Sequence, residues 1–185
     1  MKIALFGTSA DPPTTAHQGI LNWLCSHYQI VAVWAADNPL KGEQTPLEHR
    51  TAMLQLAIAD LEKPNLQLWK ELSDRRTLIT IQKAMSIWGI ESDYTLVIGA
   101  DLVQQISHWY ESEILLQLVQ LLIIPRQGYI LAQEDLKILS HQGVKWAIPH
   151  LQTPAVSSTA YREGRLEGVI APSVRDYIQR NHLYL

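Results

Sequence analysis

Residues 6–17 read Phe-Gly-Thr-Ser-Ala-Asp-Pro-Pro-Thr-Thr-Ala-His, a glycine turn followed by hydroxyls and then a histidine. Such a stretch can hold a phosphate. The preceding run, residues 3–6, is apolar and strand-like, and Gly7 lets the backbone turn sharply and approach a ligand with no side chain between. Thr15 and Gln18 have the spacing of a capping box, so a helix is expected from Ala16 with His17 in its first turn. Unpaired amides and the positive end of the helix dipole attract anions there, and a histidine adds a donor that can also carry charge. A second stretch has related chemistry. Residues 154–162 place the hydroxyls of Ser157, Ser158 and Thr159 at an expected helix start, with Arg162 one turn beyond Ser158. Hydroxyls, amides and a guanidinium together form a cradle for a polyphosphate. Taken singly, each stretch also reads as an ordinary capped helix with a solvated histidine or arginine.

The elements around these residues alternate. Strands are expected at residues 3–6, 30–35, 65–68, 94–98 and 121–124, and helices from residue 16, from Thr45-Pro46-Leu47-Glu48, over 78–88 and from Pro172. Leu47, Leu54, Ile58 and Leu61 line one face of the second helix, and Val174, Tyr177 and Ile178 one face of the last. Alternation of this kind predicts a Rossmann-like, doubly wound, mainly parallel α/β sheet with helices on both faces. Ligands bind such sheets at the carboxyl ends of the strands. There the chain carries residues 7–17, then Asn38-Pro39-Leu40-Lys41, then Gly99-Ala100-Asp101.

Composition narrows the class. With 185 residues, 47% hydrophobic and 18% charged, the chain is expected to form a single globular domain over 1–185. A net charge of −3 offers no basic footprint for nucleic acid, so a phosphorylated ligand must be gripped by local groups. No stretch has the length of a membrane span or the form of a signal peptide, which leaves the cytoplasm as the expected location and no membrane as a partner. Cys25 reads as core, and the histidines lack the paired spacing of a helical zinc site, so no protein-bound metal is expected.

In this order and spacing, the motifs resemble the nucleotidylyltransferase superfamily, and within it most closely the bacterial nicotinate-nucleotide adenylyltransferases. Residues 7–12 and 14–17 match in outline that family's Gly-Gly-Thr-Phe-Asp-Pro opening and His-x-Gly-His signature. Ser157-Ser158-Thr159 with Arg162 matches its Ser-Ser-Thr-x-x-Arg motif in full. His49-Arg50-Thr51-Ala52-Met53-Leu54, Ile98-Gly99-Ala100-Asp101 and Trp109-Tyr110 are similar to its middle helix, its Gly-x-Asp turn and its base-stacking pair. The departures are Thr14 for the first histidine, Ala16 for a glycine, Thr8 and Ala10 in the opening, and Ile79 for the tyrosine beside Thr80. They mark a divergent branch.

The resemblance implies an adenylyltransferase that joins the AMP part of ATP to nicotinate mononucleotide, giving deamido-NAD and pyrophosphate, with magnesium accompanying ATP. Gly7, Thr8, Ser9, Thr14, His17, Lys41, Ser157, Ser158, Thr159 and Arg162 would hold ATP, with Thr14, His17 and Arg162 acting on its phosphates. Gly99 and Asp101 would hold the ribose of the mononucleotide, Trp109 and Tyr110 its pyridine ring, and backbone near Thr80 and Tyr110 its carboxylate. Nicotinamide mononucleotide is the alternative acceptor, and phosphopantetheine a rival within the superfamily. A non-catalytic nucleotide binder leaves His17 and the Ser-Ser-Thr-x-x-Arg motif without a purpose. A tRNA synthetase fragment lacks its Lys-Met-Ser-Lys-Ser loop and a basic face. A homo-oligomer is left open.

Overall fold

Successive side chains of the first strand, β1 (Lys2–Thr8), enter two different cores: Ile3 and Leu5 one, Ala4 and Phe6 the other. Period-two alternation in which both sets are apolar requires a sheet covered on both faces. The computed structural model, which describes residues 1–37, 42, 44–126, 128–151, 154, 156–164 and 168–184, has that architecture. After β1 come α1 (Thr15–His27), β2 (Ile30–Ala35), α2 (Leu47–Ala59), β3 (Leu66–Leu68), α3 (Thr77–Trp88) and β4 (Asp93–Gly99). The chain continues through α4 (Ser112–Leu118), β5 (Gln120–Ile124), α5 (Gln133–His141), β6 (Trp146–Ala147), α6 (Ser158–Arg162) and α7 (Pro172–Arg180). All six strands are parallel, in the order β3-β2-β1-β4-β5-β6.

Leu78 and Ile81 of α3, Leu115 of α4 and Leu139 of α5 fill one face, while Leu21 and Leu24 of α1 and Leu54 and Ile58 of α2 fill the other. Behind α2 a third cluster joins Met53 and Ala57 to Val169, Ile170 and Ala171 and to Val174 and Ile178 of α7. The five strands and the helices expected from periodicity are all present. Among the described residues, β6, α4 and α5 were not anticipated; β6 is two residues long and owes its existence to pairing with β5.

Two helix starts differ from expectation. Thr14, not Thr15, caps α1, and its capping-box partner is His17. At α2 the cap is Pro46, because the main chain of Thr45 is engaged elsewhere: its N–H donates to Asp11 and its carbonyl accepts from Arg50. Leu47 is correspondingly half-exposed instead of lining the core.

Gly7 also has a different reason. A β-carbon there would lie 2.7 Å from the indole of Trp34, its neighbour across the β1–β2 pairing. Trp34, 4% exposed, thus fills the room that the glycine opens on this face of the strand. Gly7→Ala is expected to cost about 1–3 kcal/mol in denaturant unfolding, the usual penalty for overpacking a tight core. In a Trp34→Leu background that cost should shrink; an equal cost in both would refute the contact as its cause.

Candidate active site

The sheet reverses its winding between β1 and β4, and there the pairing stops short. β1 and β4 are in register from Lys2 and Asp93 to Leu5 and Leu96, whereas β1 stays with β2 as far as Thr8 and Ala35, and β4 with β5 as far as Gly99 and Ile124. The two central strands therefore part at their carboxyl ends. A crevice at the switch point is where open α/β sheets bind ligands.

On the β1 side of this crevice stands the start of α1. The main-chain N–H of Thr14 donates to Nδ1 of His17 at 3.0 Å, and the Thr14 hydroxyl lies 2.9 Å from the same nitrogen. A main-chain N–H can only donate, so Nδ1 is the unprotonated nitrogen and the neutral ring carries its proton on Nε2. The capping box thus sets the tautomer of His17, which the sequence reading had placed on the helix but not within its cap. The first residue of α1 is held from the far end of the chain, since Thr15 N–H donates to the Val169 carbonyl.

Arg50 braces the loops around this turn. Projecting from α2 and only 2% exposed, its Nε donates to Thr45 O at 2.8 Å and its terminal nitrogen to Ser9 O at 3.0 Å and Ala36 O at 2.7 Å. One guanidinium therefore ties the loop after β1, the loop after β2 and the entry to α2. Burial pushes its pKa down, and the carboxylates of Asp11 and Asp37 oppose that shift. Carbonyl dipoles and nearby carboxylates together compensate a buried charge.

The 157–162 motif closes over the same loop. Ser157 caps α6 by accepting from the Ala160 N–H, as expected. Ser158 donates its hydroxyl to Pro12 O at 2.8 Å, and Arg162 donates to Asp11 O and to the Thr159 hydroxyl. His17, Thr14, Ser158 and Arg162 are thereby brought to one turn of chain, 11–17, from both ends of the sequence. The Asp11 side chain, 4% exposed, accepts from the Thr45 N–H and from the Tyr184 hydroxyl.

Across the crevice, Asp101 follows β4 and pairs with Arg126, which follows β5. A β-carbon on Gly99 would meet the Asp101 carboxylate, so a side chain there would force that carboxylate to move. Trp109 is half-buried against the core, whereas Tyr110 is exposed with the Arg76 guanidinium 4.7 Å above its ring. Thr80 turns inward: its hydroxyl donates to Leu72 O at 2.8 Å and its N–H to Arg76 O. Neither group is presented to a ligand, so any main-chain contact to an acceptor from α3 must come from earlier in its first turn. A cleft of about 390 Å³, lined by Asp37, Leu47, Ser73, Asp74, Arg75 and Arg76, opens at the carboxyl end of β2, beside Ala36 and not at His17.

Thr8 is buried at the end of β1, and the Ser9 carbonyl is taken by Arg50. Lys41 lies outside the described residues. Arg50, Arg126, Arg76 and Tyr184 are not among the site residues expected from sequence. Arg126 was open to the strand-end rule that found Asp101, because it follows a predicted strand by two residues. Nothing local marks Tyr184. Arg50→Lys is expected to lower stability by about 2 kcal/mol in denaturant unfolding, because an ammonium cannot span three carbonyls as a planar fork does. A loss below about 0.5 kcal/mol would show that the three bonds do not brace the loops.

Residues 5–164 match the cytidylyltransferase-like family model. A probable nicotinate-nucleotide adenylyltransferase of Synechocystis sp. is 48% identical over 100% of this chain and 99% of that protein. One from Bacillus cytotoxicus is 31% identical over 99% of this chain and 98% of its own. Among solved structures, the Plasmodium falciparum nicotinic acid mononucleotide adenylyltransferase complexed with NaAD superposes with a TM-score of 0.81 at 21% identity, covering 99% of this chain and 97% of that one. At that identity it supports the fold alone. The chain belongs to the cytidylyltransferase-like family, and within it to the nicotinate-nucleotide adenylyltransferases.

Proposed function

We propose that this protein transfers the adenylyl group of ATP to nicotinate mononucleotide, giving deamido-NAD and pyrophosphate. The observation that carries the reading is the docking of Ser158 and Arg162 on the carbonyls of Pro12 and Asp11, which unites the two phosphate-type motifs in one site. ATP lies with its phosphates between the start of α1 and α6, contacted by Thr14, His17, Ser158, Thr159 and Arg162, with Lys41 and the main chain of residues 7–9 around them and Ser157 holding the α6 turn. The mononucleotide lies across the crevice, its ribose on Asp101 beside Gly99, its pyridine ring against Trp109 and Tyr110, and the first turn of α3 ahead of Thr80 framing it. Nicotinate is preferred to nicotinamide on the names of the relatives.

The 5′-phosphate of the acceptor attacks the α-phosphorus in line, and the bond to the bridging oxygen of pyrophosphate breaks. Such a reaction needs positioning and charge stabilisation more than a covalent nucleophile. His17, with its proton on Nε2, donates to an α-phosphate oxygen as negative charge builds, and Arg162 neutralises the leaving pyrophosphate. ATP would enter as its magnesium complex, the ion arriving with the substrate. The Asp11 carboxylate is already engaged by Tyr184 and Thr45, and no group of three His, Cys, Asp or Glu among the described residues could hold a metal. When bound, the ion neutralises phosphate charge. None of the described helices is long and apolar enough to cross a membrane, and we place the reaction in the cytoplasm.

Pyrophosphate release with ATP, magnesium and nicotinate mononucleotide, nicotinamide mononucleotide or phosphopantetheine in turn tests the reaction; a clear preference for nicotinate mononucleotide is expected, and silence with all three would overturn it. His17→Ala should lower turnover by about 10²–10³, the effect of losing one preorganised donor, and activity within about threefold of wild type would exclude that role. For Trp109→Ala the expected outcome is a raised KM for the mononucleotide with that for ATP unchanged; equal losses on both substrates would contradict stacking on the acceptor.

A further inference from the structure

The segment that follows α7 reaches back to the site. Tyr184 donates its hydroxyl to Asp11 Oδ1 at 2.6 Å, while its ring meets Tyr161 edge-on with centroids 6.2 Å apart and its hydroxyl lies 4.0 Å from the sulfur of Met53. Tyr161 lies in α6, next to Arg162, so the ring also braces the helix that carries that guanidinium. Burial and then the hydrogen bond to the Asp11 carboxylate push the phenol up, which keeps its proton in place for that donation.

Asp11 stands between two demands. Its Oδ2 accepts the Thr45 N–H at 3.3 Å and lies 3.9 Å from Arg162, whose nearer bond is to the Asp11 main-chain oxygen. A carboxylate that is almost wholly buried needs donors for both oxygens, and the Arg162 guanidinium, 3.9 Å from Oδ2, is a charged donor within reach. With the Tyr184 hydroxyl in place, Oδ1 is satisfied without it. Were that hydroxyl missing, the carboxylate would turn to the guanidinium and form a bidentate pair in the position where a phosphate should be met.

We infer that Tyr184 is a positioning residue for the triphosphate: by occupying the Asp11 carboxylate it keeps the Arg162 guanidinium available to ATP. The inference rests on the reading of Arg162 as a phosphate ligand. It makes the tail after α7 part of the site without any contact to substrate.

The test is the Kd for magnesium-ATP, measured by titration calorimetry on the intact protein, beside the KM for each substrate. In Tyr184→Phe, which keeps the ring packed on Tyr161, the Kd for ATP should rise about three- to tenfold while the KM for the mononucleotide stays within about twofold. In an Asp11→Asn background, where no carboxylate can capture Arg162, the same change should have no further effect on ATP. A general loosening of the fold would not give that split, and thermal unfolding of each variant checks it. Unchanged ATP affinity in Tyr184→Phe, or an equal loss on the Asp11→Asn background, would overturn the inference while leaving the proposed function intact. Wild-type ATP affinity in Arg162→Ala would remove the phosphate reading itself, and the inference with it.

Discussion

One buried cation holds the business end of the sheet together. Loops at the carboxyl ends of parallel strands have no ladder to fix them, and their carbonyls must find donors elsewhere. Arg50 supplies donors for three of them at once, from a helix that is itself locked to the sheet through Leu54 and Ile58. Because a guanidinium cannot lose its proton in the accessible range, the brace persists even though burial works against the charge. The turn that leads to His17 thus has a fixed origin, which a flexible loop would lack.

From that origin the site is assembled by chain segments that are far apart in sequence. Ser158 and Arg162 lie 146 and 151 residues beyond their partners at Pro12 and Asp11, and Tyr184 lies 173 beyond Asp11. The third cluster, built from α2, α7 and residues 169–171, provides the apolar burial that keeps these polar contacts in register. It explains why α7, which lies outside the sheet layers, matters to the chemistry: Thr15 at the start of α1 is tied to Val169 just before it.

The electrostatics follow from the same arrangement. A chain with a net charge of −3 does not attract a triphosphate from a distance. It must instead present a few preorganised donors in a place where they are not already spent on each other. Asp11 and Asp101 each sit beside an arginine on the crevice, and each is controlled differently: Asp11 by a phenol and an amide, Asp101 by Arg126 itself.

The sequence alone determined the layered fold and marked the two stretches proposed to hold phosphate. Strands such as residues 30–35 and 121–124 are apolar on both faces, and helices such as 77–88 carry their own periodicity, so local pattern and buried environment agree. Chemistry-bearing residues at strand ends were legible for a similar reason, since turn residues interrupt apolar runs abruptly. What only the tertiary structure decided was how each side chain spends its hydrogen bonds. Thr45 looked like a cap until Asp11 and Arg50 claimed its main chain, and Thr80 turned inward to Leu72. Gly7 proved to make room for Trp34, and His17 had its tautomer set by Thr14. The partners of Arg50 and Tyr184 carry no local signature, because a hydrogen bond depends on positions within about 3 Å, and those positions are set by segments the chain brings together only on folding.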